Sequence, residues 1–216
     1  MKKIVILDFD GTLADTRGVI VTTMQQTIAQ LQLPTRTDEE CAAMIGLPLS
    51  KTFTTLLPID EATGRQCAEV YHRLFNENNL PGAVPLFPHV AETLTALRQH
   101  GVTVTIASSR SHNSLMEFVE GFQLQDVVSL VLGADDVEKA KPEPEPVLHT
   151  LRQLGFLPSD AVVVGDTWYD IEMGRRAGAL TVGVTYGNGT REQLLSHAAD
   201  FVIDDFAELA EICFAH

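Results

Sequence analysis

Two aspartates stand two residues apart where a short apolar run ends, in Leu7-Asp8-Phe9-Asp10-Gly11-Thr12. Residues i and i+2 of a strand share a face, so both carboxylates point the same way. Like charges this close are costly unless a cation lies between them or one carboxyl keeps its proton. Gly11 permits a tight turn whose amides can face an anion. Three further segments carry matching chemistry. Ser108-Ser109 closes the run Val102–Ala107 just ahead of a helical pattern, where a hydroxyl and free amides can bind phosphate. Lys141-Pro142 precedes another helix, and Gly165-Asp166-Thr167-Trp168-Tyr169-Asp170 closes the run Ala161–Val164 with two more acids. Acids, hydroxyls and one lysine gathered in one crevice suit a divalent cation together with a phosphoryl group.

These groups need a scaffold that brings strand ends together. Apolar runs recur at Ile4–Leu7, Val102–Ala107, Leu130–Leu132, Ala161–Val164, Leu180–Val184 and Phe201–Ile203. Several are continuously apolar, as strands buried on both faces of a parallel sheet are. Helical patterns lie between them, at His89–His100, Pro144–Leu154 and Tyr169–Ala177, each ending before a glycine: Gly101, Gly155 and Gly178. The alternation predicts an α/β fold, a doubly wound parallel sheet with a Rossmann-like core. Ligands of such sheets bind beyond the carboxyl ends of the strands, which is where every group above falls.

One stretch breaks the alternation. From Thr16 to Asn79 the patterns are helical, at Val19–Leu31, Glu39–Ile45, Leu49–Leu57 and Glu61–Asn78, punctuated by Pro34, Pro48 and Pro58. The stretch closes with Leu80-Pro81-Gly82-Ala83-Val84-Pro85. We read residues 16–82 as a helical domain inserted into a catalytic core of residues 1–15 and 83–216. The two linkers would run side by side.

Composition narrows the class. The 216 residues carry 15 Lys and Arg against 29 Asp and Glu, a formal charge of −14. That balance disfavours a nucleic-acid partner, which requires surplus cationic side chains, and an anionic substrate would need a local positive site. Three scattered cysteines, Cys41, Cys67 and Cys213, form no CxxC and argue for a reducing compartment. The run Ile4–Leu7 is too short for a signal-peptide core, and no segment reads as a membrane span. A cytoplasmic protein, monomeric or a small homo-oligomer, is expected.

In order and approximate spacing, Asp8-x-Asp10-Gly11-Thr12, Ser108, Lys141-Pro142 and Gly165-Asp166-x-x-x-Asp170 resemble the motifs of the haloacid dehalogenase superfamily. The resemblance spans the whole chain, and the helical insert looks like the family's mobile cap. Asp15-Thr16, the turn Gly46–Leu49 and Leu86-Phe87-Pro88 are similar to features of its phosphoglycolate phosphatase-like members. The resemblance implies that Asp8 is a nucleophile forming an aspartyl-phosphate, and that Asp10 is the acid and then the base. It implies a Mg²⁺ site of Asp8, the backbone carbonyl of Asp10, Asp166 and Asp170, an oxygen set suited to that ion. Gly11, Thr12, Ser108 and Ser109 would hold phosphoryl oxygens. Lys141, rather than Lys139, would offset the carboxylates and the phosphate. The implied activity is hydrolysis of a small phosphorylated metabolite, phosphoglycolate-like. Inorganic pyrophosphate hydrolysis, sugar-phosphate mutation and a catalytically silent binding module stay as alternatives, although Leu49 stands where a mutase would have a basic cap residue.

Other residues receive plainer readings. The seven histidines show no metal spacing and read as surface groups. Arg110 is either a substrate contact or a surface arginine at a helix start. Lys51 could face the crevice from the insert, Trp168 reads as packing, and Glu172, Arg175 and Arg176 read as a solvated helix face. The turn Gly187-Asn188-Gly189 lies near the same sheet end, and no role can be read for it from sequence.

Overall fold

The computed structural model describes residues 1–80 and 82–215, except for the side chain of Ser50. Pro81 of the second expected linker and His216 lie outside the described residues. The sheet has six parallel strands in the order β3-β2-β1-β4-β5-β6. These are β1 (Ile4–Leu7), β2 (Thr103–Ala107), β3 (Val128–Leu132), β4 (Ala161–Gly165), β5 (Leu180–Val184) and β6 (Phe201–Ile203). β3 begins two residues before the predicted run, because Val128 pairs with Val104 across an irregular register.

β1 is central, and its four residues are fully buried. Alternation splits them between two layers: Val5 and Leu7 join one apolar cluster, while Ile4 and Ile6 join the other. The second layer contains Val147 and Leu151 of α7 (Glu145–Leu154) and Met173 of α8 (Trp168–Ala177). The first contains Leu94 and Leu97 of α5 (Val90–Gln99) and Leu115 and Phe118 of α6 (His112–Gly121). Helices thus cover both sheet faces, the doubly wound arrangement expected. α9 (Arg191–Ser196) and α10 (Glu208–Ala215) complete the core. α7 and α8 end at Gly155 and Gly178 with φ of +74° and +78°, the left-handed closures that the sequence pattern implies.

Between β1 and β2 the chain forms α1 (Arg17–Gln30), α2 (Asp38–Ala42), α3 (Leu49–Leu56) and α4 (Glu61–Asn78) before reaching α5. α2 starts at a Thr37–Glu40 capping box, and α4 at Asp60, whose carboxylate accepts from the Thr63 amide at 2.8 Å. α1 packs on α2 and α4, and α3 on α4. The two connections to these helices do run side by side. Asp15 N donates to Pro85 O and Phe87 N to Leu13 O, each at 2.9 Å. No described helix is long and apolar enough to cross a membrane.

Candidate active site

Strand order reverses direction at β1 and β4, which is where open α/β sheets bind ligands. Asp8 follows β1 and Asp166 follows β4. Leu7 pairs with Val164, and Asp8 N donates to Val164 O at 2.9 Å. This register alone brings the first and last acidic segments together across 158 residues of chain separation (166 − 8). One carboxylate oxygen from each of Asp8, Asp166 and Asp170 lies within 4.8 Å of the others, and all three side chains are buried.

Lys141 lies among them. Its Nζ is 2.7 Å from Asp8 Oδ1 and 2.6 Å from Asp170 Oδ1, with only 3% of the side chain exposed. Lys139, by contrast, is exposed, so Lys141 is the lysine that reaches the acids. Burial alone would lower the Lys141 pKa, but Asp170 and Asp8 outweigh that and raise it, so the ammonium keeps its charge. Asp170 is the third residue of α8, and its other oxygen accepts from Thr167 N at 3.1 Å and Thr167 Oγ1 at 2.7 Å. The capping of the helix therefore fixes the carboxylate that fixes the lysine.

One lysine cannot neutralise three carboxylates. Burial, opposed by Lys141 and aided by Asp170, pushes Asp8 up to about 7. Burial, aided by Asp8 and Asp170, pushes Asp166 up to about 8. Asp166 is held by Asn188, whose backbone N and side-chain Nδ2 donate to Oδ2 at 2.6 and 3.0 Å, and by Thr12 Oγ1 at 3.3 Å. The Oδ1 of Asn188 is buried and has no hydrogen-bond partner among the described residues. Surplus negative charge, oxygen-only donors and an orphaned amide oxygen beside Asp166 fit a hard divalent cation such as Mg²⁺ better than a softer metal.

Glycines make the approach possible. Gly11 has φ +86°, and a Cβ there would lie 2.2 Å from Asp166 Oδ2 and 2.4 Å from Asn188 Nδ2. A Cβ at Gly187 would lie 2.3 Å from Asp166 Cβ, and one at Gly189 would lie 2.1 Å from the Asp166 backbone oxygen. The turn that sequence left without a role is thus the wall that holds Asp166. Its signal was the glycine pair itself, visible only once β4 and β5 are known to be neighbours.

Asp10 is not part of the acidic cluster. Its carboxylate accepts a forked pair of bonds from Arg110, at 2.6 Å from one terminal nitrogen and 3.3 Å from Nε. Arg110 is no surface arginine. Its side chain is 9% exposed, and its guanidinium lies 4.7, 5.0 and 5.9 Å from the ring centres of Phe75, Phe118 and Phe9. Burial works against its charge, but Asp10 more than restores it and raises the pKa. Asp10 can therefore offer a cation only its main-chain carbonyl in this arrangement.

The expected phosphate-binding residues divide. Ser108 is buried at the end of β2, with its Oγ 3.4 Å from the Arg110 amide that donates to it. Thr12 is fully buried and its hydroxyl is turned to Asp166. The Ser109 hydroxyl donates instead to Gly46 O of the helical insert at 2.7 Å, so its backbone amide is what it has for an anion. Lys51 is exposed on α3, whereas the turn Gly46-Leu47 and Leu49 face Asp10 across a cavity. Trp168 packs on Tyr169 and His197, with ring centres 4.0 and 5.0 Å apart. His197 and His112 are half-buried partners of Glu172 and Asp136 rather than free surface groups.

Comparison with known proteins identifies the family and the fold. The family model described as haloacid dehalogenase-like hydrolase matches residues 5–184. The chain is 36% identical to "Probable phosphatase IndB" of Dickeya dadantii over 212 residues, 97% of this chain and 92% of that protein. It is 30% identical to a phosphoglycolate phosphatase of Salmonella typhimurium, over 95% of this chain and 90% of that one. It is also 30% identical to pyrophosphatase PpaX of Anoxybacillus flavithermus, over 96% and 95%. A crystal structure of a predicted phosphatase from Clostridium acetobutylicum has the same fold, with a TM-score of 0.90 at 21% identity and full coverage of both chains.

Proposed function

The chain belongs to the haloacid dehalogenase-like hydrolase family and is a phosphatase-type hydrolase, and from that premise we propose that it is a Mg²⁺-dependent enzyme that hydrolyses a small phosphomonoester through an aspartyl-phosphate. The observation that carries the reading is the convergence of buried Asp8, Asp166 and Asp170 around Lys141 at the point where strand order reverses. Asp8 is the only member of that group that follows the central strand β1 and holds a hydrogen bond to the lysine through one oxygen.

In the proposed reaction Asp8 attacks phosphorus, forming a new oxygen–phosphorus bond while the ester bond to the leaving alcohol breaks. Asp10 gives the proton that the leaving oxygen needs, then takes one from the water that attacks the aspartyl-phosphate. Inorganic phosphate leaves and Asp8 is regenerated. Ser108 and the amides of Gly11, Thr12 and Ser109 bind the transferring oxygens, and Lys141 favours the ionised form of Asp8 and orients it. Asp8, Asp166, Asp170 and the Asp10 carbonyl would hold Mg²⁺, which when bound supplies positive charge against the phosphoryl oxygens. Residues 16–82 act as a cap on a core of 1–15 and 83–216, excluding bulk water from the transfer. The three cysteines are free and buried, in keeping with a reducing, cytoplasmic setting.

Steady-state phosphate release tests the reading. Wild-type protein with Mg²⁺ should turn over phosphomonoesters, and both Asp8→Asn and addition of a chelator should abolish turnover. Undiminished activity in either case would remove the proposed nucleophile or the proposed cofactor. Two of the relatives are named for different substrates, phosphoglycolate and pyrophosphate, so the leaving group has to be read from this chain's own pocket.

A further inference from the structure

A cavity of about 230 Å³ lies between the helical insert and the core, with Asp10 in its wall. A single bound water needs only about 10–15 Å³, so the space is far larger than a two-carbon acid requires. Ile20, Met24, Leu47 and Leu49 give it an apolar lining on one part of its wall. Exposed Asn76 of α4, half-buried Ser111 and exposed Asn113 of α6 add hydrogen-bonding groups.

The charged groups on this wall are few. Among the described residues it carries one permanent cation, Arg110, and two carboxylates, Asp10 and Glu117. Arg110 is committed to Asp10 by the forked pair and enclosed by three rings. His72, at the rim, is held towards its neutral form by partial burial and then by Arg110. Lys141 is enclosed between Asp8 and Asp170, and exposed Lys51 is outside the wall. Among the described residues of this wall no cation is left unpaired to meet a second anionic group on the substrate, and Glu117 repels one.

Resting on the phosphatase reading, we infer that this cavity takes the leaving alcohol and selects one that is uncharged, ring-sized and apolar on one face, of the sugar or nucleoside kind. The carboxylate of phosphoglycolate and the second phosphate of pyrophosphate are both excluded by the same charge pattern. A pocket selects by repelling the wrong partner as much as by attracting the right one. Here the apolar wall attracts the ring while Glu117 and the committed arginine reject the anion.

The test is kcat/KM with Mg²⁺ across a panel of nucleoside 5′-monophosphates, hexose 6-phosphates, 2-phosphoglycolate and pyrophosphate. At least one uncharged ring alcohol should exceed both anionic leaving groups by about a hundredfold, the size that like-charge rejection supports. Glu117→Arg, a change at an exposed position, should move the ratio of phosphoglycolate to the best ring ester upward several-fold. Phosphoglycolate or pyrophosphate matching the best ring ester, or a ratio unmoved by Glu117→Arg, would overturn the inference and leave the phosphatase reading intact. Absence of hydrolysis across the whole panel, with p-nitrophenyl phosphate also uncleaved, would overturn both.

Discussion

Arg110→Met should cost this protein more stability than any surface substitution, because it strands a carboxylate. The pair it breaks is bidentate, at 2.6 and 3.3 Å, with side chains 9% and 14% exposed. Removing one partner of such a pair costs about 3–5 kcal/mol, since the remaining charge stays largely desolvated. Loss of the ring contacts adds roughly 0.5–2 kcal/mol. In a chain of 216 residues each kcal/mol lowers the melting midpoint by about 2–4 °C, so the pair term alone lowers it by about 6–20 °C. Asp10→Asn removes the other charge and should destabilise through the same pair. The double variant should therefore be less damaged than the sum of the two, by about 2–3 kcal/mol, because both substitutions delete one interaction. Urea unfolding followed by circular dichroism, on all four proteins in chelator, measures this cycle. Additivity within about 0.5 kcal/mol would refute the reasoning and make the fork energetically idle.

Gly11→Ala should cut phosphate release more than about tenfold and destabilise by about 1–3 kcal/mol, since its φ is +86° and the new Cβ would press on Asp166 and Asn188. Gly82→Ala, with φ +83° and nothing within 4 Å, is the control that carries the backbone strain without the loss of activity. Mg²⁺ at about a hundred times its dissociation constant should stabilise chelator-treated protein by about 2.7 kcal/mol, or about 5–11 °C by calorimetry; an unmoved midpoint would deny the cation its site. In chelator, Asp8 and Asp166 bind protons more tightly folded than unfolded, because burial raises both carboxyls from 3.8 to about 7 and about 8. Their contribution is complete below the unfolded value and is lost as pH rises through the folded ones, so urea midpoints should fall between about pH 5 and pH 8. A midpoint that rises over that interval would contradict the sign.

Much of the site was legible because its residues stand at strand ends. The apolar run Ile4–Leu7 locates Asp8, and the run Ala161–Val164 locates Asp166. In a parallel sheet both must then emerge on one edge, and the pairing of Leu7 with Val164 places them side by side. Lys141 was separable from Lys139 only through the family resemblance; the structure separates them by burial. What sequence hid depends on contacts between distant segments. Arg110 is enclosed by Phe9 of the loop after β1, Phe75 of α4 and Phe118 of α6, and nothing local distinguishes it from an arginine in solvent. Asn188 reaches Asp166 because β5 lies next to β4, and the Ser109 hydroxyl turns to Gly46 because the insert rests on the core loops. Pattern reading supplies elements and their ends, whereas the partners of a polar group follow from strand order and from how the insert sits.

The central claim is covalent, and one measurement reaches it directly. Wild-type protein mixed with a cleaved phosphomonoester and Mg²⁺, quenched in acid on the millisecond scale and reduced with borohydride, should yield homoserine in place of aspartate at position 8 and nowhere else by peptide mass spectrometry. The same treatment of Asp8→Asn should yield none. Reduction at Asp10, Asp166 or Asp170, or no modified residue under conditions in which phosphate is being released, would contradict an aspartyl-phosphate on Asp8.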